Sequence, residues 1–289
     1  MYREDHDTTG PGTRASGSGT RASGPGTRAS GSGTRASGPG TRTSGPGTQA
    51  PAPAASAGPA EPSLAHLLVG LQLTDSAFPS GFYTLSHSLE GFAQARAVDS
   101  ETLPALLESL LVHGVGPADA TALALAHRAT REGRPETVAL VDEHLFATKL
   151  GQEMRRAATR TGRQLLDLAA EVYGCPEIAA YHARVVRREV PGTQAVAAGI
   201  TYAATGVPVR QAVACDLFAF CASFAGAALR LRLTDHRRAQ VMLHAVAPAI
   251  ERTVEAALRR ELADVGATAF ASDIMSGRHE RAEARLFAS

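Results

Sequence analysis

The stretch from Val190 to Leu233, VPGTQAVAAGITYAATGVPVRQAVACDLFAFCASFAGAALRLRL, constrains the fold more than any other part of the chain. It predicts two helices with a short break at Gly206-Val207-Pro208. Pro208 suits a first helical turn, where its missing N–H would have no intrahelical partner anyway. In the second helix Leu217, Phe220, Phe224, Ala227 and Leu231 recur at steps of three and four, which is one face of a helix. Phe218, Cys221 and Val213 make the other faces apolar, so this helix is expected to be enclosed on most sides. Gly199, Ala203, Ala204, Gly226, Ala227 and Ala228 would let neighbouring helices approach closely. The run Ala212 to Leu231 is long enough to cross a membrane, but Asp216 lies inside it and would be costly in hydrocarbon. A buried helix in a bundle is favoured over a membrane-associated helical protein.

The 289 residues suffice for one large domain or two small ones, and a net charge of +1 gives no reason to expect nucleic-acid binding. Cys175, Cys215 and Cys221 lie in apolar surroundings. Cys215 and Cys221 would project about 120° apart on a helix, so no disulfide framework is expected. A reducing, cytoplasmic setting fits, and no apolar leader run opens the sequence. Basic residues are almost all arginine, with Lys149 the only lysine. Its neighbours Phe146-Ala147-Thr148 exclude a phosphate-binding P-loop.

Within residues 1–62 a seven-residue unit repeats from Thr13, TRASGSG and TRASGPG in alternation and then TRTSGPG. Gly, Ser and Pro dominate and large apolar residues are absent, so this tail is expected to be disordered. Its arginines could tether anionic surfaces weakly, but a simple disordered extension is favoured.

The helical domain is expected over residues 63–289. Leu64, Leu67, Leu68, Leu71 and Leu73 predict a first apolar helix capped by Ser63. Thr74 to Gly81 is a turn-rich break, and Phe82 to Gln94 resumes helical spacing. A helix capped near Asp99 or Ser100 should reach His113 and break at Gly114-Val115-Gly116-Pro117. Helices are then predicted over Asp119–Arg131, Glu136–Lys149, Gln152–Gly174 (one or two) and Glu177–Glu189. After the central pair, Thr234-Asp235 caps a long helix to about Ala263, kinked by Pro248. Gly266 to Ser289 is charged, with few large apolar residues. No period-two alternation occurs. The expected fold is all-α, an irregular bundle of roughly eight to ten helices.

Motifs for chemistry are sparse. The ten histidines are scattered, and neither H-E-x-x-H nor C-x-x-C occurs. His87 and Glu90 could share a helix face, more simply as a hydrogen-bonded pair than as a metal or catalytic site. His279 and Glu283, beside Glu280, could hold a divalent ion, but a solvated charged tail is favoured. Two stretches suggest more. Phe78-Pro79-Ser80-Gly81-Phe82-Tyr83 is an aromatic turn that either covers the core edge or forms a recognition surface. Arg278-His279-Glu280 through Arg285-Leu286-Phe287 is a charged segment with an apolar end. It is expected to be mobile in the free protein and to dock on a partner through Leu286 and Phe287.

Together these stretches resemble the UreF family of urease accessory proteins. The N-terminal pattern stands as Leu71-Gln72-Leu73, Asp75-Ser76-Ala77-Phe78-Pro79, Gly81-Phe82 and Ser86-His87-Ser88-Leu89-Glu90. The C-terminal pattern stands as Met275-Ser276-Gly277-Arg278-His279-Glu280 and Arg285-Leu286-Phe287-Ala288-Ser289. Glu153-Met154-Arg155 and Gly162-Arg163-Gln164-Leu165-Leu166 match between them. Ser80-Gly81, Val190-Pro191-Gly192 and Leu231 to Asp235 depart from the family pattern. The resemblance implies a non-catalytic, homodimeric scaffold. It would link a UreD/UreH-type accessory protein to the nickel-carrying UreG-type GTPase and, through them, apo-urease, with nickel and GTP held by those partners. It also implies that Phe78, Pro79, Gly81, Ser86, His87, Glu90, Arg155, Arg278, His279, Glu280, Arg285, Leu286 and Phe287 serve partner binding. An all-α enzyme using a His/Glu pair is the alternative.

Overall fold

A computed structural model describes residues 63–79 and 81–287. The expected repeat tail lies outside them. The described residues form eleven helices and no strand, slightly more helices than the spacing suggested. They are α1 (Leu64–Thr74), α2 (Leu89–Gln94), α3 (Leu103–Arg131), α4 (Pro135–Thr148), α5 (Gln152–Tyr173), α6 (Pro176–Val186), α7 (Gln194–Ala204), α8 (Val209–Arg230), α9 (His236–Ala245), α10 (Ala247–Arg259) and α11 (Phe270–His279).

The break inside the central pair falls where expected. Gly206 has φ 81° and Pro208 precedes the first turn of α8. The enclosure is shared differently, however. Every residue from Ala195 to Tyr202 is buried, as is Ala203, so α7 is the helix at the centre. It packs against α3, α5, α6 and α8. Helix α8 buries Leu217, Phe220 and Phe224, but Phe218 is 47% exposed. Small residues explain why α7 lies deepest. A Cβ added at Gly199 would fall 2.6 Å from the Leu123 carbonyl oxygen of α3, a separation that only glycine permits. Both α3 and α8 are long and apolar enough to cross a membrane, but 56% of the most apolar stretch of each is buried inside the fold, as in a core helix.

Three local expectations change. Gly114 to Pro117 does not break the chain. Residues Leu111–Ala120 form a π-helical segment inside α3, which accommodates Pro117 by widening the turn. Phe82 to Gln94 is not one helix, because His87 (φ 54°) and Ser88 (φ 69°) adopt left-handed backbone. They separate a 3₁₀ turn at Phe82–Thr84 from α2. The helix expected after Asp235 divides at Val246, with Pro248 in the first turn of α10. Asp235 does cap α9, accepting a bond from the Arg238 N–H at 2.8 Å.

In α1 the apolar residues do not all face the core. Leu64, Leu67, Leu68 and Leu71 are exposed, and Ser63 makes no capping bond.

Asp142 of α4 ties this core to the loop before α7. It is fully buried. Its Oδ1 accepts from the Thr193 N–H at 2.9 Å and the Thr193 hydroxyl at 2.5 Å. Its Oδ2 accepts from the Gly192 N–H at 2.6 Å and the Tyr181 hydroxyl at 2.8 Å. Burial raises the carboxyl's pKa against these bonds, which pull it down. Asp142→Ala strands four buried donors and is expected to cost about 2–3 kcal/mol in urea denaturation. Unchanged stability would show that water replaces the carboxylate.

Candidate functional site: a clamp between the two ends of the helical region

The segment expected to be mobile is part of the fold. Its charged residues do not need a core of their own, because they meet buried acids from distant elements. Helix α11 lies on α2. The approach requires Gly91, where an added Cβ would come within 2.4 Å of the Met275 carbonyl oxygen. The Ser272 hydroxyl of α11 donates to Ser88 Oγ at 2.8 Å, sealing the contact.

His279, 1% exposed, sits between two carboxylates. Its Nδ1 lies 2.9 Å from Glu153 Oε2 and its Nε2 lies 2.8 Å from Glu90 Oε2. Arg285 donates to Glu153 Oε1 at 3.1 Å. Glu280 Oε1 accepts from the Glu153 N–H at 2.6 Å, at the start of α5. Glu90 also accepts the Leu286 N–H at 2.7 Å and the Phe287 N–H at 3.0 Å. Buried carboxylates that accept several bonds are positioning groups. All four carboxylate oxygens of Glu90 and Glu153 are bonded within the protein, which leaves little to offer a substrate.

The aromatic turn joins the same assembly. The Arg230 guanidinium at the end of α8 lies between two rings, 3.9 Å from the Tyr83 centroid and 4.3 Å from that of Phe287. Such stacking is favourable when the cation is partly desolvated. Ser223 of α8 donates to the Phe82 carbonyl at 3.0 Å. With that single proton used, the Nε2 of His87, 2.9 Å away, is the donor to Ser223 Oγ. His87 also packs edge-on to Phe220, with ring centroids 4.6 Å apart. Burial, with Arg230 nearby, lowers its pKa to about 3, so the ring is neutral.

The residues implied by the resemblance therefore take different positions. Glu90, His279, Glu280, Arg285 and Phe287 come together. His87 lies nearby but does not pair with Glu90, because its left-handed backbone takes it off α2. Gly81 supplies a left-handed residue (φ 84°) that opens the 3₁₀ turn, and Ser86 is fully buried. Phe78 is a core side chain, while Pro79 is exposed. Among the described residues Arg155 makes no bond to those of the clamp and donates to the Lys149 and Leu150 carbonyls. Arg278 is exposed. Leu286 and Phe287 do not form a joint outward anchor. Phe287 is 6% exposed in its own core, whereas Leu286 is 65% exposed. His279 is committed to Glu90 and Glu153 rather than to Glu283, and no group of three His, Cys, Asp or Glu suited to a metal occurs among the described residues. Arg230 and Ser223 carried no signal in the sequence. Their roles depend on α8 passing beneath the turn.

The chain is similar in sequence to known proteins. A UreF family model matches residues 97–247. Urease accessory protein UreF 2 of Brucella canis is 32% identical over 231 residues, covering 78% of this chain and 92% of the relative. Urease accessory protein UreF of Kocuria rhizophila is 32% identical over 237 residues, covering 79% and 99%. Urease accessory protein UreF of Trichodesmium erythraeum is 28% identical over 227 residues, covering 78% and 98%. These matches place the chain in the class of urease accessory proteins. The chain belongs to the UreF family.

Proposed function

We propose that the protein is a cytoplasmic, non-catalytic scaffold for urease maturation. It acts as a homodimer and bridges a UreD/UreH-type accessory protein and a UreG-type GTPase, so that nickel reaches apo-urease. Nickel and GTP are held by the partners. The observation that carries this reading is the meeting of the aromatic turn and the 279–287 segment on one surface, with Tyr83 and Leu286 exposed beside the Arg230 stack. A rigid apolar and aromatic patch of this kind suits protein docking. The names of the relatives support the urease context.

Phe287 is buried, so the end of the chain serves the fold as well as the surface. Removing everything after Ile274 would strip half of α11 and a core ring, so lost binding would not distinguish docking from unfolding. The double variant Tyr83→Ala with Leu286→Asp alters exposed side chains only. It is expected to retain parental circular dichroism, to capture the UreD/UreH-type protein at least about tenfold less well, as expected for loss of a hot spot, and to reduce urease activation in cells. Parental capture and activation would remove this surface from partner binding.

A further inference from the structure

A cavity of about 350 Å³ lies beneath the turn, between α3, α5, α8 and α11. A second, of about 360 Å³, lies on its other side, and Phe82, Gln194 and Asp216 line both. Asp216 is 6% exposed. Its Oδ1 accepts from Gln194 Nε2 at 2.9 Å, and Gln194 is its only hydrogen-bond partner among the described residues. A buried carboxyl with one neutral partner is costly to charge.

The other titratable groups on the wall of the first cavity are His87, Asp119, Lys149 and Asp273. His87 is neutral. Lys149 is occupied by Asp119, at 2.8 Å. The wall therefore carries more carboxylate than cation. Behind Asp216, burial raises the pKa of both Tyr202 and Cys215, so both stay neutral and neither offsets the carboxylate. Leu110, Val115 and Phe220 make the remaining wall apolar, and no three-residue metal group occurs among the described residues. Cavities of a few hundred Å³ with an apolar lining and few polar groups accept small organic molecules.

We propose that this cavity binds a small organic cation, with its ammonium group against Asp216 and its apolar body against Phe220, Leu110 and Val115. The site is independent of the docking surface above and of the urease reading. Burial, with Asp119 adding to it, lifts the Asp216 carboxyl to about 7. An incoming cation favours the ionised form, so binding strengthens as pH rises from about 6 to 8.

Benzylamine titrated into the full-length chain, followed by calorimetry, tests this. Saturable binding that is tighter at pH 8 than at pH 6 is expected, with benzyl alcohol weaker. Asp216→Asn keeps the shape but removes the charge and is expected to weaken benzylamine at least about tenfold, the scale of one charge-assisted bond. Ala158→Leu, which narrows the cavity without touching Asp216, is expected to weaken both ligands. Should Asp216→Asn fail to fold, the pH dependence in the parent and the loss in Ala158→Leu decide the matter. Absence of saturable binding, equal affinity for benzyl alcohol, or parental affinity in Asp216→Asn would overturn the proposal.

Discussion

Phe224→Ala is expected to destabilise the protein by about 3–5 kcal/mol, read as a fall in the urea midpoint without a change in slope. Phe224 is fully buried in the middle of α8 and among the largest fully enclosed side chains. Its neighbours on that face, Leu217, Phe220, Ala227 and Ala228, belong to helix positions that cannot slide inward independently. The cavity left by the missing ring would therefore stay largely unfilled. A variant that unfolds at the parental midpoint would place α8 outside the core.

Glu90→Ala is expected to have a similar cost, about 3–5 kcal/mol, by another route. It removes the acceptor for His279 Nε2 and for the Leu286 and Phe287 N–H groups. Deleting one member of a buried ionic cluster leaves the others uncompensated. The loss should appear first as faster amide exchange at Leu286 and Phe287, and then as lower global stability. Glu90→Gln keeps one acceptor oxygen and should fall between the two. Parental exchange at both amides in Glu90→Ala would show that the segment is held by packing of Phe287 alone.

The two effects correspond to what the sequence could and could not reveal. Phe224 was legible because its environment is set by helical period: Leu217, Phe220 and Phe224 report a buried face from spacing alone. The same logic placed the break at Gly206 and Pro208 and the all-α class. Aromatic bulk points to an enclosed α8, but Ala and Gly mark the deeper burial of α7 through close approach rather than through size. Pro117 looks like a stop in the sequence because a widened helical turn has no simple sequence signal. The clamp was illegible for a different reason. His279 and Glu90 are 189 positions apart, and no local period reports such a pair. The family resemblance brought both into view but assigned them outward roles. Read alone, Arg278 to Phe287 looks too polar to pack. Its polarity is matched by Glu90 and Glu153, which look equally unremarkable in isolation.

The distance along the chain between Glu90 and the amides that it binds has a consequence for the order of assembly. Leu286 and Phe287 follow Glu90 by 196 and 197 positions. During ribosomal synthesis at about 5–20 residues per second, Glu90 waits roughly 10–40 s for these partners. Arg230, once made, also waits for Phe287, the second ring that encloses its guanidinium. A chain made past Arg259 but short of Phe287 therefore carries every helix from α3 to α10 yet displays an unfinished surface. Completion of that surface reports that translation has passed residue 287, so a partner reading it would engage chains that extend beyond this point in preference to shorter ones.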